Sequence, residues 1–130
     1  MEKHYVDIDG YWGILFVYDF DWNDVDEVID IIENFGITDD DDVSYAVNVL
    51  YGTNGGMTIS RPSDTMSVIF IGQADSIEQF FDTLSHESDH AQDSILRYFG
   101  ISHGTEDAAW LQGYIMRGIS KWLKKDGYIC

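Results

Sequence analysis

His86, Glu87 and His90 are the residues whose types and spacing are best suited to chemistry, in a segment that reads H-E-x-x-H. On a helix, residues four apart lie on the same face, so both imidazoles can point at one metal ion. Zinc accepts imidazole nitrogen readily and keeps one of its four positions open in catalytic sites. Glu87 would lie beside a water in that position as general base. The motif therefore predicts a zinc site, and that site needs a third protein ligand.

The helix that must carry this motif is predicted to begin after Ser76 as N-cap and to end at Phe99, before Gly100. Its apolar residues recur at about 100° per residue; they are Ile77, Phe80, Phe81, Leu84, Ala91, Ile95 and Phe99. His86 and His90 lie roughly opposite this stripe. We therefore expect them to face either a cleft closed by another element or open solvent, as a simple pair of hydrated histidines.

A second long helix is predicted over Thr105–Lys125, with Thr105 as N-cap and Glu106 in its first turn. The loop between the two helices, Gly100–Gly104, is short, which favours a helical hairpin. The small residues Ala109 and Gly113 lie near Glu106 on the helical wheel and would allow close approach. Glu106 is therefore the candidate third ligand, and the alternative is a carboxylate that only stabilises the helix dipole.

Two other arrangements of a metal site stay open. His103, in the loop, is either a rival ligand, a donor to the transition state or an exposed side chain, and exposure is the simplest interpretation. A fourth protein ligand such as His103 or Asp107 would close the coordination sphere and make the zinc purely structural.

The segment from Phe80 to Ile119 resembles the small gluzincin-type zincin metallopeptidases found in bacteria and their phages. The resemblance is carried by HESDH, then ILRYFGI, then TEDAAWLQGYI, in which a Glu at the start of a helix precedes a small-aromatic-x-x-Gly-aromatic run. It implies a zincin-like α+β fold with His86, His90 and Glu106 as zinc ligands and Glu87 as catalytic base. Polar Ser85, Ser88 and Asp89 depart from the family's pattern around the motif.

The rest of the chain predicts a small, mostly antiparallel sheet and one N-terminal helix, within a single domain over residues 1–130. Alternating apolar residues and turn signals place the elements. The strands are Tyr5–Ile8, Tyr11–Phe20, Val43–Tyr51, Met57–Ser60 and Thr65–Ile71, and the helix runs from Asn23 or Asp24 to Phe35. The acidic run Asp39–Asp42 lacks the spacing of a calcium loop and is interpreted as a hydrated loop. The segment Gly52–Gly56 is interpreted as a hairpin turn.

The charge of the chain is strongly negative, with 24 acidic and 7 basic residues and a net charge of −17. Such a surface disfavours nucleic acid and anionic lipid and suits a basic protein partner or mimicry of a nucleic acid, and high solubility is its simplest interpretation. No apolar run reaches the length of a membrane span and no signal peptide is recognised, so the expected location is cytoplasmic. The one cysteine, Cys130, is given no role.

Two functions are expected from these features. The first is a zinc-dependent hydrolase, most simply a peptidase, whose peptide or protein substrate pairs with an edge strand at Met57–Ser60 or Thr65–Ile71. The alternative is an acidic binding protein on a catalytically weak or inert zincin scaffold, which occupies a basic partner.

Overall fold

A computed structural model describes residues 1–129 as a four-stranded sheet with two helices on each face; Cys130 lies outside the described residues. The elements in chain order are β1 Glu2–Ile8, β2 Trp12–Tyr18, α1 Val25–Asn34, α2 Asp40–Leu50, β3 Gly56–Arg61, β4 Met66–Ile71, α3 Ile77–Phe99 and α4 Glu106–Lys125. The predicted α+β class is confirmed.

The sheet has the strand order β1-β2-β4-β3, so β3 lies at an edge. Strands β1 and β2 are antiparallel, as are β3 and β4, whereas β2 and β4 are parallel. The parallel pairing is possible because α1, α2 and β3 intervene between these two strands and return the chain to the same end of the sheet. The sheet is therefore mixed, with two of its three pairings antiparallel.

Strand β2 is covered on both faces, as its unbroken run of apolar and aromatic residues predicts. Trp12, Ile14, Phe16 and Tyr18 pack in the core under α3 and α4. Val17 belongs instead to the second core, under α1 and α2, with Leu15 packed against it. Helix α3, which carries the H-E-x-x-H motif, therefore packs on a sheet that is covered by helices on both faces.

The prediction of a strand over Val43–Tyr51 is wrong, because Asp40–Leu50 forms helix α2. Asp39 is its N-cap and accepts hydrogen bonds from the backbone N–H groups of Asp41 and Asp42. The acidic run is thus the start of a helix, where the dipole favours carboxylates, and not a separate loop. Consequently Gly52–Gly56 joins α2 to β3 and is not a hairpin turn.

The two C-terminal helices begin and end close to the predicted residues. Ser76 accepts a hydrogen bond from the Gln79 N–H as the N-cap of α3, and Gly100 ends that helix with a positive φ of 68°. Thr105 caps α4 in the same way through the Ala108 N–H. Among residues 1–129, the structure contains no helix whose length and hydrophobicity would let it cross a bilayer.

The close approach of α4 to α3 that was predicted at Ala109 and Gly113 does not occur at these residues. Ala109 and Gly113 are exposed, and a side chain at Gly113 would have nothing within 4 Å. The small residue that permits close packing is Gly118, where an added Cβ would run into Val6 of β1. Helix α4 therefore lies over β1, at the opposite edge of the sheet from β3.

Candidate metal centre

His86 and His90 are brought together on the exposed flank of α3. Their Nε2 atoms lie 3.2 Å apart, and the His86 side chain is 68% exposed. Two ligands of one tetrahedral zinc, each about 2.0–2.1 Å from the metal, are separated by about 3.3 Å. The imidazole pair therefore has the spacing that zinc requires, although without metal the same distance also permits a hydrogen bond between the rings.

Glu87 is buried beside this pair, on the side of α3 that faces the edge strand. Its Oε1 accepts a hydrogen bond of 2.9 Å from the Thr58 hydroxyl, which also lies 2.8 Å from the Glu87 backbone carbonyl. Its Oε2 lies 4.0 Å from His86 Nε2. Thr58 of β3 thus orients the carboxylate and leaves one oxygen directed towards the histidines.

The cleft in front of these residues has a volume of about 460 Å³ and opens between α3, β3 and α2. Strand β3 contributes Gly56, Met57, Thr58 and Ser60, and α2 contributes Tyr45 and Val49. Gly56 allows α3 to lie close, because a Cβ there would be 2.5 Å from Thr83 Cγ2 and 3.0 Å from Glu87 Cγ. Of the two predicted edge strands, Met57–Ser60 lies in β3, which is at the edge and borders the H-E-x-x-H helix, whereas Thr65–Ile71 contains β4, which is internal to the sheet.

Glu106 does not join the histidines in this arrangement. Among residues 1–129, the ligand atoms of His86, His90 and Glu106 are not within 4.8 Å of one another. The first turn of α4 is held by Gln92, which donates a 2.8 Å hydrogen bond to the Ala108 carbonyl. Gln92 lies about 160° around α3 from His90, so α4 begins on the other flank of the helix. The assignment of Glu106 as third ligand stays a prediction, one that requires a movement of this turn.

His103 is exposed and paired with a carboxylate, not with the other histidines. Its Nε2 lies 2.8 Å from Asp93 Oδ1, and Asp93 also pairs with Arg97 at 2.8 Å. The hydrogen bond with His103 lowers the pKa of the Asp93 carboxyl, and the pairing with Arg97 lowers it further. Among residues 1–129, neither His103 nor Asp107 has a ligand atom within 4.8 Å of both imidazoles of the His86 and His90 pair.

Three residues that line the cleft were not singled out from the sequence: Tyr45, Gly56 and Thr58. Tyr45 is 69% exposed and lines the cleft, whereas the sequence pattern predicts that it lies in a strand with one buried face. The helical spacing of Val43, Ala46, Val47 and Leu50 after a capping Asp39 is the signal that would have placed it on α2. Thr58 and Gly56 carry no such signal, because only the packing of β3 against α3 defines their contacts.

Ser88, within the motif, is fully buried and its hydroxyl has no hydrogen-bond partner among the described residues. A buried hydroxyl without a partner costs about 1–3 kcal/mol. We therefore expect Ser88→Ala to raise the free energy of unfolding by about 1 kcal/mol, as measured by urea denaturation. Ser85→Ala on the exposed side of α3 is the control for helix propensity alone. A destabilised Ser88→Ala would show that the hydroxyl has a partner in solution.

The comparisons with known proteins identify no relative of this chain. No protein-family model, curated protein or solved structure matches it. The resemblance to gluzincins therefore stays a prediction carried by the motif residues themselves. The two imidazole nitrogens are suitable ligands for zinc. This arrangement lacks a third protein ligand beside them.

Proposed function

We propose that this protein is a zinc-dependent hydrolase of peptide bonds, in which His86 and His90 hold the metal and Glu87 is the general base. The observation that supports it most is the 3.2 Å separation of the two Nε2 atoms next to a buried, oriented carboxylate. Burial of a carboxylate is costly. The burial of Glu87 beside the two histidines therefore favours a metal site over a pair of histidines that has no function in metal binding.

The residues of the chain have separate tasks in this proposal. Thr58 holds one oxygen of Glu87, so the other can take a proton from the attacking water and pass it to the leaving amine. Zinc, when bound, supplies a water of lowered pKa and polarises the substrate carbonyl. Tyr45 lines the same cleft, where its phenol is a candidate donor to the developing oxyanion.

The edge strand β3 supports an extended peptide as the substrate. Strand β3 pairs with β4 along one of its two edges. The other edge of β3 can add a peptide strand through backbone hydrogen bonds. The acidic residues of the chain, 24 against 7 basic ones, favour peptides rich in Lys and Arg by electrostatic attraction. Electrostatic selection predicts that cleavage of such peptides weakens as salt concentration rises.

Zinc titration of the chelator-treated protein tests the metal-binding part of this proposal. We expect His90→Ala to weaken zinc binding at this site by at least 10-fold, and so to bind one equivalent of zinc fewer than the wild type, as measured by competition with a chromogenic chelator. The matched control is His103→Ala, which removes an exposed imidazole from another carboxylate pair. Equal zinc binding by the wild type and His90→Ala would refute the proposal.

Glu106→Ala, measured in the same titration, tests whether Glu106 is the third zinc ligand. Unchanged affinity would agree with the arrangement in which α4 begins on the other flank of α3. A loss comparable to that of His90→Ala would mean that the first turn of α4 moves towards the histidines when zinc binds.

An acidic binding protein is the second candidate function. It is favoured by the absence of Glu106 from the ligand set in this arrangement, since an incomplete metal site would be catalytically weak. In that case a basic partner protein would bind in a salt-sensitive manner, and its binding would not depend on Glu87.

A further inference from the structure

A second group of metal-ligating side chains lies where β1 begins and α4 ends, away from the α3 cleft. His4 Nε2 lies 3.0 Å from Asp126 Oδ2 and 3.2 Å from Glu2 Oε2. Within residues 1–129, these three residues form the only group of His, Cys, Asp or Glu whose ligand atoms lie within 4.8 Å of one another. Both distances to His4 match the separation of about 3.3 Å between two ligands of one small cation.

The surroundings of this group restrict the motion of two of its members. The His4 ring stacks on Trp122, with centroids 4.2 Å apart and an interplanar angle of 5°. The buried Tyr18 hydroxyl donates a hydrogen bond to Asp126. The side chains of His4 and Asp126 are only 12% and 14% exposed, whereas Glu2 is 41% exposed. Metal ligands are characteristically oriented by such outer partners, and Glu2 marks the side from which an ion can enter.

A positive charge between the two carboxylates would relieve the electrostatic repulsion within this group. Two carboxylates that share a site repel each other unless a cation lies between them, and the net charge of −17 adds to the negative potential. Asp126 and Glu2 each place a carboxylate oxygen beside the same His4 nitrogen. A metal ion bound between the His4 nitrogen and the two carboxylate oxygens would supply that charge.

We propose that Glu2, His4 and Asp126 bind a second zinc ion, which stabilises the packing of α4 against β1. The imidazole selects zinc over calcium or magnesium, because those ions prefer oxygen ligands alone. The ion would join the first strand to the residue that ends the last helix, Asp126 being the C-cap of α4. It would thereby hold α4 over β1 independently of any metal at His86 and His90.

The experiment uses a chain from which the α3 pair has been removed by His86→Ala and His90→Ala. After treatment with chelator, this variant is titrated with zinc sulfate, and bound zinc and thermal unfolding are both measured. We expect one equivalent of zinc to bind and to raise Tm by about 5 °C or more at saturating zinc. No zinc bound in this background would overturn the proposal, whatever the α3 site does.

Two further substitutions in that background distinguish ligation from folding. Glu2→Gln changes a partly exposed side chain, so the protein should fold normally and lose at least 10-fold in zinc affinity. His4→Gln should abolish the zinc-dependent rise in Tm. His103→Gln is the matched control, because His103 also pairs with a carboxylate, and it should bind as the parent does. If neither Glu2→Gln nor His4→Gln changed the zinc affinity, the ion would bind elsewhere in the protein and the proposal would be wrong.

Discussion

Glu87→Gln is expected to lower kcat/KM for peptide hydrolysis by about 10²–10⁴-fold, the contribution typical of a general base. The substitution keeps the size of the side chain and an oxygen for the Thr58 hydroxyl, 2.9 Å away in the wild type. It removes the basic oxygen beside His86. Zinc binding should remain within a few-fold of the wild type, because Glu87 is not among the proposed ligands. The measurement is cleavage of a mixture of quenched fluorescent peptides rich in Lys and Arg.

Asp89→Asn is the matched control for this experiment. Asp89 is an exposed carboxylate two residues along the same helix, so its removal changes the net charge by the same amount as Glu87→Gln. We expect its activity to stay close to that of the wild type. If Glu87→Gln cleaved peptides as fast as the wild type, Glu87 would not be the base. If the wild type itself cleaved none of these peptides, the acidic binding protein would be favoured instead.

Gly56→Ala is expected to damage both the fold and the site. The added Cβ would lie 2.5 Å from Thr83 Cγ2 and 3.0 Å from Glu87 Cγ, in a region where both neighbours are buried. Overpacking of this kind costs about 1–3 kcal/mol in the free energy of unfolding. Relief of the clash moves α3 away from β3, and a displacement of about 1 Å in a catalytic group can lower activity by about 10²-fold.

Gly113→Ala is the control for Gly56→Ala, because the same methyl group there meets nothing within 4 Å. Gly113 is exposed within α4, so alanine should raise the free energy of unfolding by about 0.5–1 kcal/mol through helix propensity. Urea denaturation of both variants gives the comparison. Equal stability of the two variants would mean that α3 does not pack closely against β3 in solution.

The helix that carries the candidate site could be predicted from the sequence nearly to the residue. Ser76 as N-cap, Gly100 as the left-handed C-terminal residue and the apolar stripe between them are local signals, and they agree with the observed α3. The separation of four residues between His86 and His90 was enough to place both imidazoles on one face. These predictions succeed because they depend on backbone geometry within a single element.

Predictions that depend on competing local signals or on packing between elements were less successful. Residues 43–51 alternate like a strand, but the capping Asp39 and the acidic first turn favour a helix, and the helix forms. A helical wheel shows which face of α3 bears the histidines, but it does not show which neighbour covers each flank. The position of α4 over β1 depends instead on the contact between Gly118 and Val6, which leaves Glu106 on the far flank.

Diffraction at the zinc absorption edge, from a crystal soaked in zinc, tests the central claim most directly. We predict an anomalous peak about 2.0–2.1 Å from Nε2 of His86 and from Nε2 of His90, within the cleft formed by α3, β3 and α2. A map without a peak between these two nitrogens would contradict the claim that this flank of α3 is a metal centre.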